Sequence, residues 1–193
     1  MLFSVITMLS AMGLRAQNTN VTNGIYLTEQ DYKANKLSYV LSKNDKIQLN
    51  GFLDGKNVSL TYQGKKIKLA KSEIYGYRLN NQSFRFYHNE TYLIIDTAGF
   101  MLYSRQILAQ QGKGYKPVER SFYSINTAQP VSELTIENLS NSFSKEAGFR
   151  YSLNSYFSKD ADLVEYDKQT GQYKIKYLYF QQKQVIASHR IKQ

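Results

Sequence analysis

Hydrophobic and polar residues alternate in three short segments between residues 46 and 70. The hydrophobic positions fall at every second residue over 47–49, 58–62 and 67–69, with lysine, serine, threonine or glutamine between them. A period of two residues is typical of strands that have one buried and one solvent-facing side. Gln63-Gly64 separates the last two segments, where a tight hairpin needs residues with positive φ. The pattern therefore predicts strands, the last two of them joined as a hairpin.

Further hydrophobic runs, separated by turn-forming residues, continue as far as residue 125. They lie near 73–79, 83–88, 91–96, 100–106 and 120–125. Turn signals that recur about every ten residues predict an antiparallel meander. Residues 92–95 and 100–103 are hydrophobic at every position, so we expect them at the centre of the sheet. Residues 108–119, with two glycines and one proline, are predicted to form the longest loop.

The hydrophobic period becomes helical beyond Pro130. Leu134, Ile136, Leu139 and Phe143 fall close to helical spacing, and so do the hydrophobic residues between 149 and 157. Residues 173–179 fit either a strand or a helix, and the helix is the favoured interpretation. A short helix is also predicted over residues 29–35, since Thr28 is a suitable cap.

These elements predict an α+β fold: a mainly antiparallel β meander sheet, rolled or half-barrel, followed by a small C-terminal helical unit. Residues 17–131 form the meander with its short N-terminal helix. Residues 132–193 form the helical unit, packed on the sheet within one domain. The number of chains in the assembly does not follow from the sequence.

The first 16 residues carry a hydrophobic run that is too short to span a bilayer as a helix, which takes about 20 residues. The run suits a secretory signal peptide with cleavage between Ala16 and Gln17, and so predicts a periplasmic or secreted protein with no membrane span. It departs from the usual pattern because no lysine or arginine precedes it. A buried N-terminal helix is the alternative interpretation.

The composition restricts the chemistry that the chain can perform. It has 17 tyrosines and 10 phenylalanines but no cysteine. Tyrosine suits half-buried sheet surfaces, because its ring packs while its hydroxyl reaches water. The missing cysteine excludes disulfides, thiolate catalysis and cysteine-ligated metal centres. We expect no cofactor.

Two parts of the chain resemble a known family. Residues 24–32 (GIYLTEQDY) with 36–39 (KLSY), and residues 134–139 (LTIENL) with 162–167 (DLVEYD), are similar to small exported proteins of Bacteroidota. The Ala16-Gln17 junction is also typical of signal peptides in that phylum. The resemblance implies an exported protein with a sheet and terminal helices, and it implies no catalytic residue, since that family has no assigned activity.

Candidate catalytic and metal-binding residues are few. His88 and His189 are the two histidines, and no nucleophile motif accompanies them, so His88 is interpreted as a solvated residue at a strand end. Asp160, Asp162 and Glu165 form the densest carboxylate cluster, which we interpret as favourable charge at a helix start and not as a metal site. A hydrolase of envelope polymers that uses an Asp/Glu pair stays open as an alternative function.

Charge is distributed unevenly along the chain, whose formal net charge is +10. Residues 46–120 carry a net charge of +7, residues 133–167 of −4, and residues 168–193 of +6. A basic sheet face interleaved with aromatic rings suits an anionic partner. The predicted binding residues are Lys66, Lys68, Arg78, Arg85, Tyr87 and Tyr103. A solvated lysine-rich face, partly neutralised by the acidic segment, is the simpler alternative.

The function predicted from these observations is a non-enzymatic binding or accessory module of the cell envelope. Its partner is expected to be an anionic component, such as a lipid phosphate or an acidic glycan, or another envelope protein. Nucleic acid is disfavoured, because export and the missing binding motifs argue against it. A structural subunit of an envelope complex is a further alternative. Thr97, in the tripeptide Asp96-Thr97-Ala98, resembles an O-glycosylation acceptor of Bacteroidota.

Overall fold

A large antiparallel sheet organises the chain, with smaller units packed on it. The computed structural model describes residues 22–49 and 55–191, and it describes side chains as far as residue 184. The strands are β1 (Gly24–Tyr26), β2 (Tyr39–Val40), β3 (Lys46–Leu49), β4 (Asn57–Tyr62), β5 (Lys65–Ala70), β6 (Gly76–Leu79), β7 (Gln82–Tyr87), β8 (Glu90–Asp96), β9 (Met101–Gln111), β10 (Gly114–Ser124), β11 (Ser132–Glu133), β12 (Tyr166–Asp167) and β13 (Gln172–Tyr173). The helices are α1 (Glu29–Lys33), α2 (Ile136–Ser142), α3 (Ala147–Tyr156), a 3-10 helix (Asp160–Val164) and α4 (Lys174–Ile191).

The large sheet has the strand order β11-β10-β9-β8-β7-β6-β1-β2 and is open, with β11 and β2 at its edges. Strands β6 to β11 follow one another as an antiparallel meander, and β1 pairs with the free side of β6. Strands β8 and β9 lie inside the sheet, which confirms the central position predicted for the hydrophobic runs. The α+β class with a large antiparallel sheet and a C-terminal helix is therefore confirmed.

Tight two-residue turns join several of the strands. Gln63 and Gly64 both have positive φ, at 50° and 77°, and they join β4 to β5 as the sequence predicted. Asn80-Asn81 joins β6 to β7, and His88-Asn89 joins β7 to β8, again with positive φ at both positions. This geometry matches the right-handed twist of the flanking strands. The exposed His88 thus lies in the turn itself, where its ring stacks on that of Tyr87.

The loop predicted over residues 108–119 is wrong, because this segment is a hairpin. Strands β9 and β10 are each 11 residues long and stay paired up to Gln111 and Gly114. Gly112, with a φ of 63°, begins the two-residue turn between them. Residues 106–119 form an arm with many exposed positions on both faces. The arm therefore lacks the alternation of hydrophobic and polar residues that marks a half-buried strand.

Strands β3, β4 and β5 form a separate three-stranded sheet that packs on the large one. Val58 and Leu60 of β4 share a core with Ile25, Tyr77 and Phe86 of the large sheet. The small sheet therefore covers one end of one face of the large sheet, the end that contains β1, β6 and β7.

The helical unit packs on the β8–β9–β10 region of the large sheet. Phe100, Leu102 and Tyr123 share a core with side chains that lie in, or directly after, α2, α3, the 3-10 helix and α4. These side chains are Leu139, Phe143, Phe149, Leu153, Phe157, Leu163, Ile175 and Leu178. The helical spacing near 134–143 and 149–157 predicted α2 and α3, and α4 confirms the helix favoured for residues 173–179.

A third core lies against the large sheet and consists mainly of aromatic rings. Tyr92, Met101 and Tyr103 are buried there, and Tyr32 of α1 and Val131 pack on them. The helix α1 begins with a capping box in which Thr28 and Asp31 bond each other's backbone N–H groups. This confirms the short helix predicted over residues 29–35.

The predicted signal peptide, with its cleavage position, lies outside the described residues. Among the residues that are described, no helix is both long and apolar enough to cross a membrane.

Candidate anion-binding surface

The three-stranded sheet presents a row of lysines and hydroxyl groups on the side away from the large sheet. The register places Lys46 opposite Thr61, and Thr61 opposite Lys66. In the next row, Gln48 lies opposite Ser59, and Ser59 opposite Lys68. Directly paired residues share one face of a sheet. We call these six residues the outer lysine face.

Packing of the opposite face fixes this orientation. Val58 and Leu60 are buried against the large sheet, while Ile47, Ile67 and Leu69 pack beside them. Since side chains alternate across a strand, the residues between them point outwards. A slip of one residue in the register would expose this hydrophobic set, so the orientation is strongly specified.

All charged side chains of the outer lysine face are basic. Lys46, Lys66 and Lys68 are exposed, and strands β3, β4 and β5 contain no aspartate or glutamate. Within the described residues, no ion pair involves Lys46 or Lys66. Like charges held on one small sheet repel one another, and an anionic group placed among them removes that repulsion. The face can therefore hold an extended anion.

Two of the predicted binding residues, Arg85 and Tyr103, are buried away from this face. The Arg85 Nη1 donates to the Tyr103 hydroxyl at 2.9 Å and to Ser124 Oγ at 3.2 Å. The Nη2 donates to the Gln129 carbonyl at 3.0 Å. The guanidinium also lies over the ring of Tyr75, 5.5 Å from its centroid. Arg85 therefore fastens the segment after β10 to the third core and does not present its charge to solvent.

The other two predicted residues of the large sheet, Arg78 and Tyr87, lie on the same face of the sheet as Arg85. We call Arg85 with Tyr75, Tyr87, Tyr103 and Ser124, which contact it, the arginine cluster. Arg78 is half-buried, donates to Asn35 Oδ1 and lies over the Tyr26 ring. Tyr87 is half-buried beneath the Arg85 guanidinium, 5.6 Å from ring centroid to Cζ. The structure therefore brings Arg78, Arg85, Tyr87 and Tyr103 to one sheet, while Lys66 and Lys68 belong to the other.

Burial perturbs the tyrosines of this region. It raises the pKa of the Tyr32 hydroxyl to about 12 and also raises the pKa of Tyr75. The Tyr75 hydroxyl is buried without a hydrogen-bond partner in the structure. These phenols stay protonated at neutral pH, so their role is to pack around the arginine and not to carry charge.

The basic C-terminal segment has its lysines in contact with acids. Lys174 pairs with Glu165 at 2.8 Å, and Lys183 pairs with Glu146 at 2.8 Å. These contacts hold α4 to the acidic part of the helical unit. The cations of α4 are therefore partly neutralised within the protein, in contrast with Lys46 and Lys66, which form no ion pair within the described residues.

Lys176 of α4 is a buried cation, with an exposed fraction of 1%. Its ammonium donates to the carbonyls of Ala98, at 2.7 Å, and Phe100, and it lies 3.4 Å from Asp96 Oδ1. Burial lowers the pKa of this ammonium to about 8, against the opposing effect of Asp96. The contacts join α4 to the turn between β8 and β9, so we assign Lys176 a structural role.

The predicted carboxylate cluster is occupied by contacts within the protein. Asp160 Oδ1 accepts from the Ile136 backbone N–H at 2.8 Å, which closes the start of α2, and Glu165 pairs with Lys174. Asp162 accepts from the Ser158 hydroxyl at 3.4 Å. Across the described part of the chain, no group of three or more histidines and carboxylates could hold a metal ion. The cluster thus matches the interpretation of favourable charge at a helix start.

Thr97 is exposed in the turn between β8 and β9, next to Asp96. Asp96 Oδ1 accepts from the Ala98 backbone N–H at 2.7 Å and shapes this turn. The threonine is accessible, and its glycosylation stays a prediction. The side chain of His189 lies outside the described side chains.

Sequence reasoning missed four residues of the outer lysine face: Lys46, Gln48, Ser59 and Thr61. The alternation that predicted the strands could have found them, because residues at even spacing from Lys66 and Lys68 share their face once the register is known. The register of β3 on β4 depends on the length of the loop between them, and the sequence pattern does not determine that length.

Comparisons with models of protein families, with curated proteins and with solved structures find no match to this chain.

Proposed function

We propose that this protein is a binding module of the cell envelope that holds an extended anionic partner on its outer lysine face. The observation that carries the proposal is the face itself: three exposed lysines alternate with hydroxyl and amide groups on a sheet whose strands contain no acid. Export, on which the envelope location rests, is the expectation drawn from the N-terminal sequence.

The shape of the face favours a polymer or a surface over a small molecule. Side chains two residues apart on a strand are about 7 Å apart, and neighbouring strands are about 5 Å apart. Lys46, Lys66 and Lys68 therefore form a shallow array and not an enclosed pocket. Each exposed lysine contributes only about 1 kcal/mol near an anionic surface, so useful affinity requires several contacts at once. An acidic glycan or a layer of lipid phosphates supplies repeated charges of this kind.

Charge reversal on the outer lysine face tests the proposal. The double variant Lys66→Glu and Lys68→Glu changes the net charge by −4, and the same change is made on the helical unit by Lys145→Glu and Lys159→Glu. All four side chains are exposed, so both variants are expected to fold. Binding to polygalacturonate and to vesicles that contain phosphatidylglycerol is measured at low salt, where charge contacts are strongest.

We expect the variant of the outer lysine face to bind at least about tenfold more weakly, and the control variant to change much less. Preference for the polysaccharide or for the vesicles identifies the kind of partner. Equal weakening by both variants would show that only net charge matters, and no binding of the natural chain at low salt would remove the proposal.

A further inference from the structure

The arm of β9 and β10 continues past the strands beside it in the large sheet. Among the described residues, β8 pairs with β9 no further along than Ser104, and β11 pairs with β10 only at Phe122 and Tyr123. Residues 106–119 therefore have strand partners only in each other. A two-stranded ribbon alone is marginally stable in water, because it has no core to cover its hydrophobic side chains. An environment that covers these side chains would stabilise the arm.

Hydrophobic side chains lie on both faces of the arm. Leu108 and Tyr115 are 69% and 71% exposed, and Pro117, directly opposite Leu108, is also exposed. These three residues share one face, since opposite residues and residues two apart on a strand point to the same side. Ile107 and Val118 form an opposed, half-buried pair on the other face. A protein that packs on one face would leave the other in water, whereas a medium that surrounds the ribbon covers both.

The charged residues of the arm beyond its base are both lysines. Residues 106–118 contain Lys113 in the turn and Lys116 on β10, and no aspartate or glutamate. Both lysines are exposed, and no ion pair involves either of them in the part of the chain that the structure describes. Glu119, at the base, accepts a hydrogen bond from the Ser104 hydroxyl and is held against the sheet. The end of the arm therefore complements an anionic surface.

This combination of side chains suits the boundary between the acyl chains and the headgroups of a lipid layer. Tyrosine is favoured there, because its ring is apolar while its hydroxyl reaches water. A lysine side chain lays its aliphatic part along apolar groups and keeps its ammonium at the phosphates. The outer backbone groups of a two-stranded ribbon can bond water and headgroups at this shallow depth, whereas they would lack partners in the hydrocarbon core.

We propose that the arm docks the protein on an anionic lipid surface. Leu108, Tyr115 and Pro117 enter the headgroup level, and Lys113 and Lys116 contact the lipid phosphates. A stable protein interface takes about 20 to 30 residues from each partner, which is more than the arm offers. The inference does not depend on the outer lysine face, which belongs to the other sheet and can bind a glycan or a lipid.

Single tryptophans test this docking, because the natural chain contains none and an introduced one reports on its own surroundings. Leu108→Trp and Tyr115→Trp place the reporter in the arm, and Tyr151→Trp places it at an equally exposed position of α3. Vesicles of phosphatidylcholine, with and without phosphatidylglycerol, are added at low salt. With the anionic vesicles we expect the emission of both arm reporters to shift by about 10 nm to shorter wavelength and that of Tyr151→Trp to stay unchanged, because a ring at the interface leaves water.

Vesicle sedimentation measures the affinity without a reporter. The double variant Leu108→Ser and Tyr115→Ser is expected to bind anionic vesicles at least about tenfold more weakly, since two apolar side chains are lost from the contact. The double variant Tyr151→Ser and Tyr156→Ser is the matched control, because both tyrosines are exposed on α3, and it should bind within about twofold of the natural chain. These variants change no charge, so they leave the outer lysine face as it is.

Three results would overturn the inference. If the protein sediments with the vesicles while the arm reporters keep their emission, another surface makes the contact. If the arm reporters shift without vesicles as the protein concentration rises, the arm meets a second copy of the chain instead of lipid. If both pairs of serine substitutions weaken sedimentation equally, the arm has no special part in binding.

Discussion

At the scale of single residues, the Arg85 side chain joins several buried groups. It donates to Tyr103, Ser124 and the Gln129 carbonyl, and three tyrosine rings surround it. Lysine carries the same charge but lacks the planar fork that reaches several acceptors at once. We therefore expect Arg85→Lys to lower the free energy of unfolding by about 2 to 3 kcal/mol, because at least one buried acceptor loses its donor. Urea denaturation measures the change.

Arg120→Lys is the control for this substitution. Arg120 is about half exposed and pairs with Glu133 at 3.3 Å on the surface. Such a pair contributes about 0 to 1 kcal/mol, so the midpoint should move little. A similar loss in both variants would mean that the Arg85 contacts add nothing beyond those of a surface arginine.

Arg85 also shows that a local pattern can predict the exposure of some side chains and not of others. Lys66 and Lys68 alternate with Ile67 and Leu69, and that pattern alone predicts an exposed lysine pair, as observed. Arg85 alternates with hydrophobic residues in the same way, yet it is buried. The difference arises from α1 and the segment after β10, which cover the polar face of β7. Contacts so distant in sequence leave no local signal.

At the scale of secondary-structure elements, the docking of α4 on the β8–β9 turn depends on Gly99. Its φ is 75°, and a Cβ at this position would lie 2.7 Å from Cε1 of Tyr179. The Tyr179 ring cannot easily move aside, because it packs against Phe100 and Phe149. Gly99→Ala is therefore expected to lower the free energy of unfolding by about 1 to 3 kcal/mol beyond the backbone cost, the usual range for overpacking.

The variant Gly64→Ala separates the cost of the steric clash from the cost of the positive φ. Gly64 has nearly the same φ, 77°, but nothing lies within 4 Å of an added Cβ. It should cost only the conformational penalty, about 1 to 2 kcal/mol. Thermal and urea unfolding of both variants compare the values. Equal destabilisation would show that α4 moves away freely and that Gly99 is not required for its docking.

The elements with the clearest period in the sequence are those with one buried side. The strands between residues 46 and 70, and the helices α2 and α3, each pack one face on a core, whereas the start of α4 fitted a strand or a helix. The hairpin arm of β9 and β10 extends into solvent on both sides, and its period is lost. The separate three-stranded sheet was also not predicted, because alternation marks a strand but not its partner sheet.

At the scale of the whole molecule, contacts within the protein neutralise part of the charge that is unevenly distributed along the chain. The C-terminal segment has a net charge of +6, and α4 places lysines against Glu146, Glu165 and Asp96. The net charge of the sequence therefore overstates what α4 offers to a partner. Lys46 and Lys66 of the outer lysine face, in contrast, are exposed, and no ion pair involves them within the described residues. These two lysines of the small sheet are therefore more available to an anionic partner than the paired lysines of α4.

The stability of the whole molecule should also depend on pH, through its buried titratable groups. The pKa of Lys176 is about 8 in the folded protein and 10.5 in a free lysine, so between these values the unfolded chain binds more protons. Stability must then rise with pH in this window. Above pH 10 the buried tyrosines act in the opposite direction, because burial raises the pKa of Tyr32, Tyr75 and Tyr77, and the unfolded chain loses its phenolic protons first.

We therefore expect the free energy of unfolding to increase by about 1 kcal/mol between pH 7.5 and 9.0, where the tyrosines are still protonated in both states, and to fall above pH 10. Lys176→Met removes the titrating ammonium and should leave the free energy of unfolding nearly constant up to pH 9.0. Lys145→Met, at an exposed position, should keep the rise. Urea denaturation at each pH, with an unchanged m-value, measures the difference. Equal urea midpoints of the natural chain at pH 7.5 and 9.0 would mean that the Ala98 and Phe100 carbonyls stabilise the Lys176 ammonium as strongly as water does.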